Sequence, residues 1–249
     1  MYFDAHCHIS FLNLEEISKL LNHLTSDHGD LTMVIGGTEK RDWEFQVKVR
    51  QKYKSQIRCG FGLHPYWVAN ADGDEIEYQL DVLAKMISSA DLLGEVGLDF
   101  REEYTNQGRD IQTEVFSRQL SLRGQLPVVV HSVRAHHEVL RQLKKHSVDN
   151  FMLHGFRGKY ELAKSYLDLG GYLSFGRNLL IADDPAITWL HKLPVERLLV
   201  ESDLPSVGGM YPQDLVKQIS QRMGKALGRS ESDMWHQLGE NLQNFLQYE

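Results

Sequence analysis

Short apolar runs alternate with longer amphipathic segments along this chain of 249 residues. The runs are rich in β-branched residues or flanked by glycine, and they are apolar throughout instead of at every second position. Continuous runs of this kind are typical of parallel strands covered on both faces by helices. We therefore predict eight strands: Tyr2–Ala5, Leu31–Ile35, Ile57–Leu63, Leu92–Val96, Pro127–Val130, Asn150–Leu153, Gly171–Phe175 and Arg197–Val200. Eight units of strand and helix predict an α/β fold, a closed (β/α)₈ barrel of the TIM type.

The amphipathic segments predict the helices of this barrel. Two of them, near Pro212–Leu227 and Ser232–Tyr248, follow the last strand and are extra C-terminal helices. The chain contains no low-complexity linker and no internal repeat, so we expect a single domain over residues 1–249. The connecting helices are expected at Leu14–Leu24, Arg41–Tyr53, Glu75–Ser88, Gln112–Arg123, Ala135–Lys145, Tyr160–Leu169 and Asp184–Leu190.

Composition narrows the class of protein. The chain is 42% hydrophobic and 24% charged, as ordinary soluble globular proteins are. It has no stretch resembling a signal peptide or a membrane span, so no membrane association is expected. Two cysteines, Cys7 and Cys59, are too few for a disulfide framework and favour a reducing cytoplasm. A net charge of −7 argues against a broad surface that coats nucleic acid, but it allows a local pocket.

Polar residues follow the predicted strands at the same end. In a barrel the C-terminal strand ends form the floor of the active site, so we expect these side chains to meet there. His6 and His8 are two apart, which directs both imidazoles to one spot while Cys7 faces away. The residues concerned are His6, His8, His64, Glu95, His131, His154, Glu201 and Asp203.

These residue types predict a centre with two divalent metal ions. Six candidate ligands are too many for one tetrahedral metal with an open position, but they suit two ions bridged by a carboxylate. Glu95 is the natural bridge, with His6, His8 and Asp203 on one ion and His131 and His154 on the other. Imidazole ligands favour Zn, Mn, Co or Ni, and Mg remains compatible with a phosphate substrate. Two such ions lower the pKa of a shared water, and Asp203 could orient that water and take its proton.

Six motifs in order along the chain resemble those of the TatD-type metal-dependent hydrolases, a branch of the amidohydrolase-like barrels. They are FDAHCH, GLHP, GEVGLD, PVVVHS, LHGF and ESDLP, and they run from residue 3 to about residue 206. The resemblance implies a two-metal hydrolase, with DNA exonuclease or phosphodiesterase activity the usual assignment. It also implies that His64 and Glu201 are accessory site residues, and that the ligands are His6, His8, Glu95, His131, His154 and Asp203.

The chain departs from the family pattern at three places. Val133 stands where the family usually has arginine, and Arg134 follows it. Ser202 stands where threonine is common. The segment Gly209–Pro212 replaces an Asn-Glu-Pro or Asn-Arg-Pro sequence. The first and third departures touch expected substrate contacts and leave the metal ligands unchanged.

Basic and aromatic residues lie just beyond the strand ends. Arg134, Arg157 and Arg177, with Arg101 and Lys159, could hold phosphate through charge-assisted hydrogen bonds. Acidic residues nearby, such as Glu102 and Asp183, would oppose an extended anionic ligand, so a short pocket for a strand end is expected. Aromatic residues that could stack an unpaired base are Tyr66, Trp67, Phe100, Tyr104, Phe156 and Phe175.

The leading hypothesis is a two-metal phosphodiesterase acting on a phosphoester substrate such as single-stranded DNA ends or nucleotides, with Asp203 and Glu95 as catalytic residues. Hydrolysis of an acyl ester or amide at the same centre is the enzymatic alternative, because the same activated water would attack a carbonyl carbon. A barrel with structural metals is the non-enzymatic alternative, since structural sites lack an open position. No obligate protein partner is indicated.

Overall fold

Eight strands in the described part of the chain pair in parallel, each with the next, in the order β1 to β8. The computed structural model describes residues 1–105, 108–204 and 212–247. The strands are β1 Tyr2–Cys7, β2 Leu31–Gly36, β3 Ile57–Phe61, β4 Leu92–Asp99, β5 Val128–Val133, β6 Phe151–Leu153, β7 Tyr172–Phe175 and β8 Leu198–Val200. The sheet curls into a nearly closed barrel with helices between its strands, which confirms the predicted (β/α)₈ fold.

The helices cover the outside of the sheet and follow local signals in the sequence. Asn13 begins α1 with a capping box, accepting from the backbone of Glu16 while the Glu16 side chain accepts from Asn13 N. Trp43 of α2 packs on Phe61 of β3 with ring centroids 6.0 Å apart. The helices are α1 Leu14–His28, α2 Lys40–Tyr53, α3 Pro65–Asn70, α4 Gly73–Met86, α5 Arg109–Leu122, α6 His136–Lys145, α7 Tyr160–Leu167, α8 Ala186–Trp189, α9 Pro212–Leu227 and α10 Glu231–Leu246.

The two C-terminal helices are present as predicted, and α10 covers one end of the barrel. The Asn241 side chain donates to Val195 O at 2.7 Å and to Leu198 O at 2.8 Å, at the start of β8. Trp235 packs on Phe3 of β1 with ring centroids 4.4 Å apart. Within the described ranges, no helix has both the length and the apolar character needed to cross a membrane.

Several predicted bounds differ from the structure, mostly at the C-terminal ends of strands. β1, β4 and β5 continue two or three residues further than predicted, because their parallel pairing persists to Cys7↔Ile35 and Asp99↔Val133. His6 and His131 therefore lie inside strands, where the sequence placed them just after. β3 ends at Phe61, and the short helix α3 that follows was not predicted. The helix expected at Asp184–Leu190 extends only over Ala186–Trp189.

Backbone and side-chain hydrogen bonds join β1 to β8 and close the barrel. Asp203 N donates to His6 O at 3.0 Å, and His8 N donates to Leu204 O at 2.9 Å. Between the strands, the buried Asp4 carboxylate accepts from Ser202 N at 2.9 Å and from Ser202 Oγ at 2.5 Å. Burial raises the pKa of Asp4 to about 7, although the Ser202 hydrogen bonds oppose the shift. This junction holds His6, His8 and Asp203 side by side.

Candidate metal centre

The buried carboxylate of Glu95 stands at the centre of a ring of histidines, and its two oxygens face different members of that ring. Oε2 lies 3.0 Å from His6 Nε2 and 3.1 Å from His8 Nε2. Oε1 lies 2.8 Å from His131 Nδ1 and 2.7 Å from His154 Nε2. The structure thus brings together side chains from β1, β4, β5 and the end of β6, as the strand-end pattern predicted.

Asp203 lies on the His6 and His8 side of the cluster. Its Oδ1 is 3.9 Å from His8 Nε2, and one donor atom from each of His6, His8 and Asp203 lies within 4.8 Å of the others. The backbone of Asp203 is left-handed, with φ of 49°, and its side chain is 40% exposed. Asp203 is therefore the candidate ligand with the most direct access to solvent.

His64, at the end of the β3–α3 connection, also reaches the cluster. Its Nε2 lies 3.1 Å from Glu95 Oε1 and 3.3 Å from His131 Nδ1. Burial lowers the pKa of His64 to about 4, with Glu95 opposing the shift. His64, Glu95 and His131 form a third group of possible metal-binding atoms, which the sequence did not anticipate.

In three histidines of the cluster, one ring nitrogen points inward, towards Glu95, and the other points outward. The partner of the outward nitrogen decides whether the inward nitrogen carries a proton or a lone pair. His8 Nδ1 lies 3.0 Å from Gly36 O, which can only accept, so this Nδ1 carries the proton and Nε2 presents a lone pair. His131 Nε2 lies 3.2 Å from Asp99 Oδ2, and His154 Nδ1 lies 3.4 Å from Glu201 Oε1. In a neutral imidazole the contact of His131 with Asp99 again leaves a lone pair directed inward, the arrangement typical of metal-binding histidines.

The donor set fits divalent cations. His131 Nδ1 and His154 Nε2 are 3.1 Å apart, and His6 Nε2 and His8 Nε2 are 3.2 Å apart. Two nitrogen lone pairs at such distances repel unless a proton or a cation lies between them. Neutral imidazoles combined with carboxylates are ligands for Zn, Mn, Co or Ni.

The electrostatics of the cluster centre on Glu95. Burial by itself raises the pKa of a carboxyl group, but the surrounding histidines, His154 first, hold the pKa of Glu95 well below its usual range. Burial lowers the pKa of His154, yet Glu95 and Glu201 together raise it well above the ordinary value. Negative charge thus stays on Glu95 in the buried centre, where it would also attract a cation.

Asp99 is a site residue that sequence reasoning missed. It is buried at the end of β4, and Arg101 donates hydrogen bonds to its carboxylate from Nε at 2.9 Å and from NH2 at 2.5 Å. Burial raises the pKa of Asp99, but hydrogen bonds from His131 and Arg101 bring it below its ordinary value. Its spacing of four from Glu95 on one strand puts both on one face, a signal that could have found it. Arg101, which the sequence analysis expected to bind phosphate, is paired with Asp99 instead.

Glu201 lies behind His154 instead of facing the open site. It is fully buried, and its Oε1 accepts from Gly155 N at 2.6 Å while facing His154 Nδ1. The resemblance implies an accessory role for Glu201, and contact with the substrate would be one such role. In this position it can orient His154 but has no surface to offer a substrate.

The remaining predicted contacts are more peripheral. Arg134, Arg157 and Arg177 are exposed, and they follow β5, β6 and β7 respectively. Phe156 and Phe175 are buried against each other and are not available to stack a base. Residues 209–211, where the sequence departs from the family pattern, lie outside the residues that the structure describes.

Among the predicted aromatic contacts, Tyr66 and Tyr104 lie closer to the site. Tyr66 is 39% exposed, and its ring centroid is 4.4 Å from that of His64. Arg101 stacks over Tyr104, with its guanidinium carbon 4.8 Å from the ring centroid. A surface for a flat group therefore exists on the β3–β4 side of the cluster.

Known proteins resemble this chain in sequence and in fold. An uncharacterised metal-dependent hydrolase of Haemophilus influenzae is 24% identical over 215 residues, covering 83% of this chain and 82% of that protein. Human deoxyribonuclease TATDN3 is 22% identical over 215 residues, covering 82% and 78%. The crystal structure of YjjV, a TatD homologue from Escherichia coli K12, superposes with a TM-score of 0.83 and 22% identity, covering 98% and 97% of the two chains.

The match extends to the family level. The model of the TatD-related DNase family matches residues 3–247, nearly the full sequence. Relatives from bacteria and vertebrates carry the names metal-dependent hydrolase or deoxyribonuclease. The chain therefore belongs to the family of TatD-related metal-dependent hydrolases, some of whose members are named deoxyribonucleases.

Proposed function

We propose that this protein hydrolyses phosphodiester bonds at the ends of DNA strands or of nucleotides, using two divalent ions. The observation that carries the proposal is that the two oxygens of the Glu95 carboxylate face different pairs of histidines. One oxygen faces His6 and His8, the other faces His131 and His154. A carboxylate with a separate set of nitrogens at each oxygen is suited to bridge two cations.

In this proposal His6, His8 and Asp203 would hold one ion, His131 and His154 would hold the other, and Glu95 would contribute an oxygen to each. Bound divalent ions would supply charge to polarise the phosphoryl group and would lower the pKa of a water molecule. Asp99 orients His131 by accepting from its outward nitrogen, and Glu201 lies beside the outward nitrogen of His154 at 3.4 Å.

Asp203 is proposed as the group that takes the proton from the attacking water. A carboxylate that binds through one oxygen still has a second oxygen to accept a hydrogen bond. The Asp203 side chain is 40% exposed, whereas Glu95 is buried among the histidines. Asp203 is therefore better placed than Glu95 for proton transfer.

The identity of the substrate has support from relatives and from the surface. The family is described as TatD-related DNase, and the human relative is named a deoxyribonuclease. Exposed arginines follow three consecutive strands around the site, and the exposed acidic residues Glu102, Glu103 and Asp183 lie just beyond strand ends. This mixture of charge favours a terminal phosphodiester over a long duplex.

The metal stoichiometry tests the bridged pair. Protein freed of metal and titrated with Mn²⁺ or Zn²⁺ should bind two ions per chain, measured by calorimetry and elemental analysis. Glu95→Ala should abolish binding of at least one. Binding of a single ion that is indifferent to Glu95→Ala would exclude the bridge.

Activity on three substrates in parallel tests the reaction. Metal-loaded protein should release label from 3′-labelled single-stranded DNA and cleave a chromogenic phosphodiester, with an acyl ester far slower. Arg157→Gln and Arg177→Gln should raise KM or lower kcat/KM for phosphoesters while metal content stays constant. Arg141→Gln, on the exposed face of α6, is the matched control. Efficient hydrolysis of the acyl ester alone would refute the proposal and favour the acyl alternative.

A further inference from the structure

His64 differs from the other histidines of the cluster in the role of its outward nitrogen. In His8 and His131 the outward nitrogen faces a carbonyl or carboxylate oxygen and donates to it in the neutral ring. In His64 the outward Nδ1 lies 3.1 Å from Tyr66 N and accepts the N–H of that residue as the cap of α3. A backbone N–H can only donate, so His64 Nδ1 carries no proton.

The protonation pattern of the inward nitrogen follows from this contact. A neutral imidazole has one N–H and one lone pair, so when Nδ1 accepts, Nε2 carries the proton. His64 Nε2–H is the atom that points at Glu95 Oε1 and His131 Nδ1. A nitrogen that bears a proton cannot bind a metal. In the neighbouring His131, by contrast, Nε2 can donate to Asp99, which would leave Nδ1 with a lone pair for a cation.

The surroundings of His64 hold this orientation. Its backbone N donates to Thr38 O at 3.0 Å, and the Tyr66 ring packs beside the imidazole. The Tyr66 hydroxyl is itself engaged with Thr38 Oγ1 at 3.2 Å. The other tautomer, with a lone pair on Nε2, would turn an Nδ1–H towards the Tyr66 N–H and leave both donors without an acceptor.

We propose that His64 is a fixed hydrogen-bond donor for an oxyanion in the site, and that it is not a metal ligand. The ligand it would take is a tetrahedral anion such as a phosphoryl group, whose non-bridging oxygen accepts from Nε2–H. Naming a phosphoryl oxygen rests on the proposed function, whereas the donor character of Nε2 does not. The proposal distinguishes His64 from His131, although the two rings are neighbours, with centroids 4.5 Å apart.

A first experiment reads the tautomer directly. Long-range ¹H–¹⁵N spectra of protein labelled with [¹⁵N]histidine, recorded before and after Zn²⁺ addition, should show His64 protonated at Nε2 in both states. The signal is assigned by its loss in His64→Asn. Protonation at Nδ1, or loss of the Nε2 proton when Zn²⁺ binds, would overturn the proposal.

A second experiment uses two variants, each of which imitates one of the two ring nitrogens of His64. Asparagine at position 64 places an oxygen near the Nδ1 position and keeps the cap, but it cannot reach inward. Glutamine places an N–H near the Nε2 position and gives up the cap. Both variants should bind as much Zn²⁺ as the unaltered protein, whereas His131→Asn should bind less.

Binding of inorganic phosphate to the Zn²⁺-loaded variants then tests the donor. His64→Asn should weaken phosphate binding by about tenfold or more, the effect of losing one hydrogen bond to a charged group, and His64→Gln should retain most of it. Equal affinity in both variants, or loss of Zn²⁺ from His64→Asn, would refute the proposal. If the protein proves to cleave acyl esters only, the proposed function fails while the tautomer and metal-content results still decide the role of His64.

Discussion

At the scale of single residues, Asp203 is the candidate ligand whose side chain is most exposed, and its substitution tests the chemical step. Asp203→Asn retains an oxygen for metal binding but cannot accept the proton of a water molecule. We expect the variant to keep at least one ion and its fold, while kcat falls by roughly 10²–10⁴. Steady-state kinetics with elemental analysis of the same sample would measure both.

The control for Asp203 is Asp81→Asn, an exposed aspartate on α4. Its activity should equal that of the unaltered protein. Near-normal turnover of Asp203→Asn with full metal content would place the proton acceptor at another residue.

Asp99 allows a second test at this scale, because it acts on the centre through His131. Gln112 holds the backbone of Asp99, accepting from its N at 2.9 Å and donating to its O at 3.0 Å, so Asp99→Asn should leave the strand end in place. An amide at this position no longer fixes the tautomer of His131. We expect affinity for one of the two ions to fall by roughly 10–100-fold, measured by metal titration.

Glu77→Gln is the matched control for Asp99, since Glu77 also pairs with an arginine, Arg118, but on the exposed surface. Metal affinity should not change in that variant. If Asp99→Asn binds metal with the same affinity as the unaltered protein, the orientation of His131 does not depend on the Asp99 carboxylate.

At the scale of elements, the close approach of β1 and β2 depends on a residue without a side chain. A Cβ added at Gly36 would lie 2.6 Å from His6 Cε1 and 3.2 Å from His8 Cε1. Neither ring can move away easily, because His6 is buried and His8 is hydrogen-bonded to Gly36 O. We expect Gly36→Ala to lower the free energy of unfolding by roughly 1–3 kcal/mol, as overpacking does, and to reduce metal content.

Gly73→Ala serves as the control, because no atom lies within 4 Å of an added Cβ there. Its free energy of unfolding should change by less than about 0.5 kcal/mol. Denaturant unfolding and elemental analysis would measure both variants. Full metal content in Gly36→Ala would mean that the two histidines tolerate a displacement of β2.

At the scale of the whole molecule, the β1–β8 junction joins the first strand to the last across the sequence. Asp4 is its buried polar element, bonded to Ser202 N and Oγ and within 3.3 Å of His6 N. Asp4→Asn keeps an oxygen for the backbone donors but turns an amide N–H towards the hydroxyls of Tyr2 and Ser202, which must reorient to accept it. We expect the free energy of unfolding to fall by roughly 1–3 kcal/mol, measured by chemical denaturation.

Asp168→Asn, which removes an exposed ion pair with Lys164, is the control and should cost less than about 1 kcal/mol. Asp4→Asn should also weaken metal binding, because His6, His8 and Asp203 flank the junction. Unchanged stability would indicate that the backbone bonds alone close the barrel.

Much of the architecture could be read from the amino-acid pattern. Apolar runs and helical periodicity are properties of short segments, so the strands, most of the helices and the order of the barrel were predictable without coordinates. The histidines and carboxylates at strand ends were predictable for the same reason, since parallel strands in a barrel bring their C-terminal ends together. The bounds were less accurate, because the pairing of β4 with β5 extends both strands further than their composition indicates.

Contacts between distant segments required the folded chain. The spacing of Asp99 from Glu95 puts both on one face of β4, but only the folded chain shows that Asp99 faces His131 and that Glu201 lies behind His154. The cap that Tyr66 N forms with His64 depends on a short helix that the pattern did not predict. Local propensity acts over a few residues, whereas the orientation of an imidazole is decided by whichever donor or acceptor the fold brings to its outer nitrogen. Residue types and their order therefore determined that this barrel carries a histidine-rich centre, and packing between strands determined which nitrogen each ring presents to it.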